Sequence, residues 1–289
     1  MAFDGVVLKR PLRPVLGPAI GAARGVGGAL VGLGTFLLFS LSVLASVPAT
    51  LRRYRPEIGR LVADMTLGPN VLVTLSGGLG ILLAESLFVG VAVGLEGFQG
   101  LDVIGLAPLS GFVAAFANTR EVAPLIAAVA IASQIGCRFT ASLGAMRISE
   151  EIDALEVMGV PSLQFLVTTR LLATFTAVVP LYAVGLFGSY IATQTTLTFF
   201  FGQSIGTYQH YFQSFLQLGD IGLSTLKVLV FTLVITLVHC YFGFTARGGP
   251  VGVGRATAQA IRASTVVIAT SDVVMTMLFW GVTGARITG

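Results

Sequence analysis

The feature that most constrains this chain is a series of long apolar stretches that contain very few charged residues. A helix needs about 20 apolar residues to cross about 30 Å of hydrocarbon at about 1.5 Å per residue. Charged residues make up 10% of the chain and hydrophobic residues 55%, whereas a soluble domain carries roughly 25% charged residues. We therefore predict an all-helical, polytopic membrane protein. Six or seven stretches approach the required length: Val26–Leu51, Asn70–Leu95, Val103–Asn118, Glu121–Ala145, Leu171–Phe199, Ile221–Thr245 and Ser264–Thr283.

The basic residues predict the sidedness of these stretches, because Lys and Arg accumulate on the cytoplasmic side. They flank the first stretch on both sides, so we expect it to lie in the interface, or to dip in and return, rather than to cross. Five transmembrane helices then follow, with the N-terminus cytoplasmic and the C-terminus outside. Val103–Asn118 is either a short helix in the outer leaflet or an extension of the next span. The flanking residues are Lys9, Arg10, Arg13 and Arg24 before the first stretch, and Arg52, Arg53, Arg55 and Arg60 after it.

The segment Met146–Pro161 is the most polar connection between two predicted spans and lies on the predicted cytoplasmic side. Ser149 is a candidate N-cap for a helix with an acidic first turn, and Gly159 followed by Pro161 is a typical stop. Its acidic residues are Glu150, Glu151, Asp153 and Glu156, and its apolar stripe at helical spacing is Ile148, Ile152, Leu155 and Met158.

This short amphipathic helix has two interpretations. Acidic side chains are poorly placed for anionic lipid headgroups, which favours docking to a protein partner. The alternative is a solvated connecting helix without a partner, and the sequence pattern alone weighs the two about equally.

The chain carries no recognisable chemistry for hydrolysis or metal binding. Gly248–Arg255 is glycine-rich but lacks the Lys-Ser/Thr ending of a phosphate-binding loop, so we interpret it as a tight turn. Two cysteines and two unclustered histidines give no metal site. We expect no catalytic residues, no metal and no cofactor here, and any ATP and Mg²⁺ must be bound by another subunit.

A few ionisable residues interrupt the apolar stretches, where charge is costly and commonly functional. Arg120 and Glu121 either line a polar part of a substrate path or snorkel to the interface. Glu85 and Asp272 raise the possibility of a proton relay, although structural hydrogen bonding is the stronger interpretation. Flanking the fifth crossing segment, Asp220 is interpreted as an N-cap and Lys227 as reaching the outer interface.

Several motifs in the same order resemble the MlaE/YrbE permease family of ABC lipid transporters. The similarity extends from about Leu87 to the C-terminus. The matching motifs are R-E-x-x-P at Arg120–Pro124, L-G-x-M at Leu143–Met146, E-x-D-A-L at Glu151–Leu155 with Met158-Gly159, and G-G-x-x-G-V-G-R-A-T at Gly248–Thr257.

The resemblance implies two permeases and an ABC ATPase dimer in the bacterial inner membrane, working with MCE-domain proteins on a lipid substrate and with no nucleic acid. It assigns Arg120 and Glu121 to the lipid cavity. The ATPase-coupling residues it implies are Glu150, Glu151, Asp153, Ala154, Leu155, Met158 and Gly159.

Three departures from the family pattern bear on the partner. The family's A-G-R is Ala132-Ser133-Gln134, its A-E-L-G glutamate is Ser142, and the proline before Arg170 is Thr169. These differences fit the second, diverged YrbE subunit of a mycobacterial-type Mce system, which pairs with a different permease as a heterodimer.

We therefore expect one permease domain over residues 1–289, with an N-terminal interfacial region (1–60) and a transmembrane bundle (70–285) that includes a coupling helix (149–158). Two other functions stay open at this point. A proton-coupled secondary transporter requires Glu85 or Asp272 to titrate, and a membrane scaffold moves no lipid at all.

Overall fold

The computed structural model describes residues 17–66 and 78–281, with side chains from residue 30 and again from residue 80, and these residues form helices without a β-strand. The predicted boundaries at Asn70, Thr283 and residue 285, and the basic residues Lys9, Arg10 and Arg13, lie outside this part of the chain. The helices are α1 (Gly17–Arg53), α2 (Arg55–Thr66), α3 (Gly78–Asp102), α4 (Ala107–Ile148), α5 (Glu151–Val157), α6 (Leu163–Phe201), α7 (Ile205–Phe215), α8 (Leu218–Phe244) and α9 (Gly249–Gly281).

Six of these helices are long and apolar enough to cross a membrane: α1 from Leu30, α3 from Gly80, α4, α6, α8 and α9. This confirms the predicted all-helical membrane fold with an N-terminal helix before five long apolar helices. Val103–Asn118 is an extension of the next span, because α4 continues without interruption from Ala107 to Ile148.

The first helix is continuous from Gly17 to Arg53, even through Pro48. A re-entrant hairpin requires a chain reversal, and none falls within this range. An interfacial position stays a prediction, since Leu30–Arg53 is by length and composition also able to cross. The described residues divide into two compact units between Ala45 and Ser46, and helices α2 to α9 all belong to the second unit.

Helices α3 and α6 run parallel and pack closely through glycines. A Cβ at Gly90 would lie 2.3 Å from the Ser189 carbonyl oxygen, and one at Gly94 would lie 3.1 Å from the Thr196 Cβ. The Thr193 hydroxyl also donates to the Gly90 carbonyl oxygen at 2.8 Å. The Gly90–Gly94 pair therefore serves helix packing inside this chain, as small residues do in membrane bundles.

Helices α4 and α8 form a second parallel pair with equally close contacts. A Cβ at Gly136 would lie 2.8 Å from the His239 ring, and one at Gly243 would lie 2.9 Å from the Thr140 carbonyl oxygen. The buried His239 ring contacts the Thr140 hydroxyl at 3.0 Å and the Ser264 hydroxyl of α9 at 3.3 Å. A buried polar contact thus joins three helices, and each of its side chains finds its partners inside the bundle.

The alternating directions of the long helices give the bundle two ends. The α5 end contains α5 and the turn between α8 and α9, and the α7 end contains α7 and the connection between α3 and α4. Wider π-helical turns occur within α4 at Ala114–Val122 and Ile131–Gly136. Such turns are often found at functional positions in helices.

Candidate functional site

The predicted acidic helix exists as α5, between the two longest helices of the bundle. It spans Glu151–Val157, slightly shorter than the predicted 149–158. Glu150 has a φ of 61°, in the left-handed region, and this residue sets the start of the helix. Gly159 has a φ of 74° and ends the helix as predicted.

Ser149 does not cap α5, which corrects the prediction from the sequence. Its hydroxyl donates to the Glu151 carboxylate at 2.8 Å and to the Ala145 carbonyl oxygen at 3.1 Å, so the serine belongs to the end of α4. The backbone N–H groups of the first turn of α5 have no side-chain cap. The left-handed residue at Glu150 displaces Ser149 from the capping position.

The predicted apolar stripe of α5 divides into a buried and an exposed part. Ile152 is completely buried and Leu155 is partly buried, whereas Ile148 and Met158 are exposed. Val157 is 89% exposed. Apolar side chains at one end of this short helix are therefore available to a partner.

The acidic side chains of α5 lie on the exposed surface and are held by short contacts. Asp153 forms an ion pair with Arg147 of α4 at 2.6 Å, and Glu156 accepts a hydrogen bond from Ser162 at 2.6 Å. Of the other residues assigned here, Glu150, Glu151, Ala154 and Gly159 are exposed. The structure thus brings the predicted coupling residues together on one surface that is tied to both α4 and α6.

Near the α7 end, Arg120 lies in a buried contact with α8. Its guanidinium nitrogens donate to one oxygen of the Asp220 carboxylate at 2.8 and 3.1 Å, and Trp280 donates to the other oxygen at 2.9 Å. The guanidinium carbon also lies 3.9 Å from the centroid of the Phe116 ring, a cation–π arrangement. Asp220 is therefore not the N-cap of α8; it lies in the first turn and pairs with α4.

Lys227 lies at the centre of the same region and is 0% exposed, so it does not reach the outer interface as predicted. Its ammonium group lies 2.6 Å from the Asp272 carboxylate and 2.9 Å from the Glu121 carboxylate. It also donates to the Thr276 hydroxyl at 2.8 Å and to the Arg120 carbonyl oxygen at 3.1 Å. One lysine therefore joins α4, α8 and α9.

Sequence reasoning identified Arg120 and Glu121 as charges that interrupt an apolar stretch but did not find their partners. The Arg120 side chain is only 13% exposed, and Glu121 is 36% exposed. Of the two, Glu121 is the more accessible from outside the chain. The sequence did contain one signal for such a contact, namely Lys227, because a cation inside an apolar helix requires an acidic or carbonyl partner.

Asp272 and Glu85, the two acidic residues considered for a proton relay, differ in their surroundings. Asp272 is engaged by Lys227, which supports a structural role. The Glu85 Oε2 atom is buried and forms no hydrogen bond within the described ranges. Among those same residues, no three His, Cys, Asp or Glu side chains are grouped so that they can hold a metal ion.

Comparison with known proteins agrees with the resemblance at the level of the family. A family model described as Permease MlaE matches residues 70–278. The chain is 32% identical over 206 residues to the chloroplastic protein TRIGALACTOSYLDIACYLGLYCEROL 1 of Arabidopsis thaliana, an alignment that covers 70% of this chain and 58% of the Arabidopsis protein.

Two bacterial relatives align over larger shares of their own length. A probable ABC transporter permease protein of Rickettsia bellii is 26% identical over 254 residues, covering 86% of this chain and 93% of the relative. A probable ABC transporter permease protein of Synechocystis is 29% identical over 206 residues, covering 71% of this chain and 78% of the relative.

Proposed function

Since this chain belongs to the MlaE permease family, we propose that it is the permease subunit of an ATP-driven ABC-type transporter for phospholipid, fatty acid or another hydrophobic lipid. The observation that carries the proposal is α5, an exposed acidic helix inserted between two helices long enough to span the membrane. The chain contains no phosphate-binding loop, so ATP and Mg²⁺ belong to a separate ATPase subunit.

The connections of α5 suit it to transmit motion. Two residues separate it from α4 and five from α6, and the contacts Arg147–Asp153 and Ser162–Glu156 tie it to both neighbours. A displacement of α5 by an ATPase would therefore be passed to the two long helices rather than absorbed by a flexible loop. In this proposal the α5 end and the N-terminus both face the cytoplasm of a bacterium, and the complex lies in its inner membrane.

Support for a lipid substrate comes from the other end of the bundle and from one relative. Glu121 offers a polar group that is reachable at the α7 end, and we assign Arg120 and Glu121 to the lipid path. The name of the Arabidopsis relative refers to a glycolipid. The partners in this proposal are a second, different permease of the same family, an ABC ATPase dimer and MCE-domain proteins of a mycobacterial-type Mce system.

Charge reversal on α5 tests the proposal. A partner surface that complements the acidic α5 is basic, so lysines on α5 would meet charge of the same sign, which costs several kcal/mol. The double variant Glu151→Lys and Asp153→Lys should therefore retain less than about a tenth of the ATPase that co-purifies with the unmodified chain. The measurement is quantitative mass spectrometry of the tagged chain after gentle detergent extraction from host membranes.

A matched control is available at the opposite end. Glu96→Lys with Asp102→Lys reverses two exposed acids of α3 near the α7 end and should leave ATPase retention unchanged. Undiminished co-purification with the α5 variant would contradict the docking role of α5. Transport that follows a proton gradient without ATP would favour a secondary transporter instead, and a scaffold would show no lipid flux under any condition.

A further inference from the structure

A cavity of about 150 Å³ lies between α2, α4 and α6 toward the α5 end, away from both sites described above. Water occupies about 30 Å³ in the liquid, so this space holds a few water molecules or one compact anionic group. Its polar lining comes from Asp64, Arg138, Ser142 and Arg170, and its apolar lining from Leu61, Met65, Ile135 and Phe139.

Two arginines line the cavity without an acidic partner in the described chain. Arg170 donates to the Leu166 carbonyl oxygen at 2.7 Å and to the Ser142 hydroxyl at 3.2 Å, both of them uncharged acceptors. Arg138 is exposed and forms neither a hydrogen bond nor an ion pair with any residue the structure describes.

No acidic group among the described residues forms an ion pair with either arginine, although Glu57 is near enough to Arg170 to interact with it electrostatically. Asp64 lines the cavity but is ion-paired with neither arginine among the described residues, and Glu57 of the same helix is engaged by Arg60 at 2.6 Å. The three charged lining residues therefore carry one excess positive charge. An unpaired guanidinium in a partly apolar cavity favours an anion with two or more oxygens, because its planar fork binds such groups with two hydrogen bonds.

The position along the helices fits the level of lipid headgroups. The 42 residues of α4 extend about 60 Å at about 1.5 Å per residue, roughly twice the hydrocarbon thickness of about 30 Å. If the excess length of α4 is divided equally between its two ends, each end projects about 15 Å beyond the hydrocarbon. Arg138 lies ten residues before the end of α4 and Arg170 seven residues after the start of α6, which is about 10–15 Å from the α5 end.

We infer that this cavity binds a phosphate or carboxylate group, with Arg138 and Arg170 as its ligands and the Ser142 hydroxyl as a neighbouring donor. The lipid headgroup and free phosphate supply the same chemistry. Exposed Arg138 opens the site to the surroundings of the chain, and the apolar lining by Leu61 and Phe139 accommodates the first part of a lipid tail. This goes beyond the proposed transport function, because binding here requires neither ATP nor α5.

Native mass spectrometry of the full-length chain in detergent tests the inference. The chain is delipidated and then given phosphatidylglycerol or diacylglycerol with the same acyl chains, and in a separate arm labelled inorganic phosphate without lipid. We expect retention of phosphatidylglycerol to exceed that of diacylglycerol by about tenfold, and Arg138→Gln or Arg170→Gln to remove that preference.

Variants and controls keep the outcome interpretable. Arg138 has no partner to lose in the described chain, so Arg138→Gln tests the site even if Arg170→Gln prevents folding. Arg247→Gln removes an exposed arginine at the same end that does not line the cavity, and it should bind like the unmodified chain.

Each result has a definite meaning. Retention of phosphatidylglycerol above that of diacylglycerol, lost in the Arg138 and Arg170 variants and with no binding of labelled phosphate, supports the site with a lipid headgroup as its ligand. Binding of labelled phosphate that depends on Arg138 and Arg170 supports the site with free phosphate as its ligand. Equal retention of both lipids with no phosphate bound, or unchanged binding in the Arg138 and Arg170 variants, would overturn the inference. None of these outcomes alters ATPase retention through α5. The anion-binding site and the proposed transport function can therefore fail independently of each other.

Discussion

At the residue scale, Lys227 explains how α4 tolerates a proline and two charges inside the bundle. Pro124 has no N–H group, so it cannot donate to the Arg120 carbonyl oxygen four residues earlier. Lys227 donates to that oxygen instead, at 3.1 Å, and pairs with the carboxylates of Glu121 and Asp272. Neighbouring helices therefore satisfy the backbone group that the proline frees, as membrane bundles require.

Lys227→Met should be strongly destabilising, because it leaves the Glu121 and Asp272 carboxylates and one carbonyl oxygen without their cation. Removal of one partner from a buried ion pair costs about 3–5 kcal/mol. The measurement is the free energy of unfolding of the detergent-solubilised chain in a denaturant titration.

A compensated variant separates lost charge pairing from lost packing. Glu121→Gln and Asp272→Asn, combined with Lys227→Met, remove the negative charges of both Lys227 partners and should recover most of the lost stability. A single Lys227→Met variant as stable as the unmodified chain would show that the ion pairs contribute nothing net to the fold.

The sequence predicted these charges but not their pairing, for a physical reason. Lys227 and Glu121 are separated by 106 positions, and a pattern within one helix carries no information on which helix lies next to it. Asp220 was interpreted locally, as a cap, although its partner is Arg120 of α4. The cavity with Arg138 and Arg170 was missed likewise, since three separate helices build it.

At the element scale, close packing of α3 on α6 depends on a small residue at Gly90. A leucine there would meet the Ser189 carbonyl oxygen and the Ala192 side chain and force the helices apart. Overpacking of this kind costs about 1–3 kcal/mol.

Gly90→Leu should therefore lower the thermal unfolding temperature of the detergent-solubilised chain. Gly100→Leu in the same helix is the matched control, because a Cβ at Gly100 meets no atom within 4 Å. Equal unfolding temperatures for the two variants would mean that α3 and α6 are not closely packed at Gly90.

Element prediction from the sequence was best where the pattern was long. The five long helices after the N-terminal one and the acidic helix α5 were predicted, because uninterrupted apolar stretches and a Gly-Pro stop are strong local signals. Helices α2 (Arg55–Thr66) and α7 (Ile205–Phe215) were not, since they are short and of mixed polarity. The start of α5 was wrong by two residues because Glu150 adopts a left-handed conformation that a non-glycine residue rarely takes.

At the scale of the whole molecule, the proposed function places an ATPase at one end of a helical bundle and the lipid path at the other. Two exposed valines mark these ends with nearly equal accessibility. Val157, the last residue of α5, is 89% exposed, and Val103, between α3 and α4, is 88% exposed. They are a matched pair for a test of where the ATPase attaches.

Site-specific photocrosslinking tests this arrangement at both ends of the bundle. A photoreactive amino acid replaces Val157 or Val103 in the full chain, host membranes are irradiated, and crosslinked partners are identified by mass spectrometry. We expect an ABC ATPase crosslinked through Val157 and not through Val103. An ATPase crosslinked through Val103, or none through Val157 in membranes where lipid transport is active, would contradict the proposed arrangement.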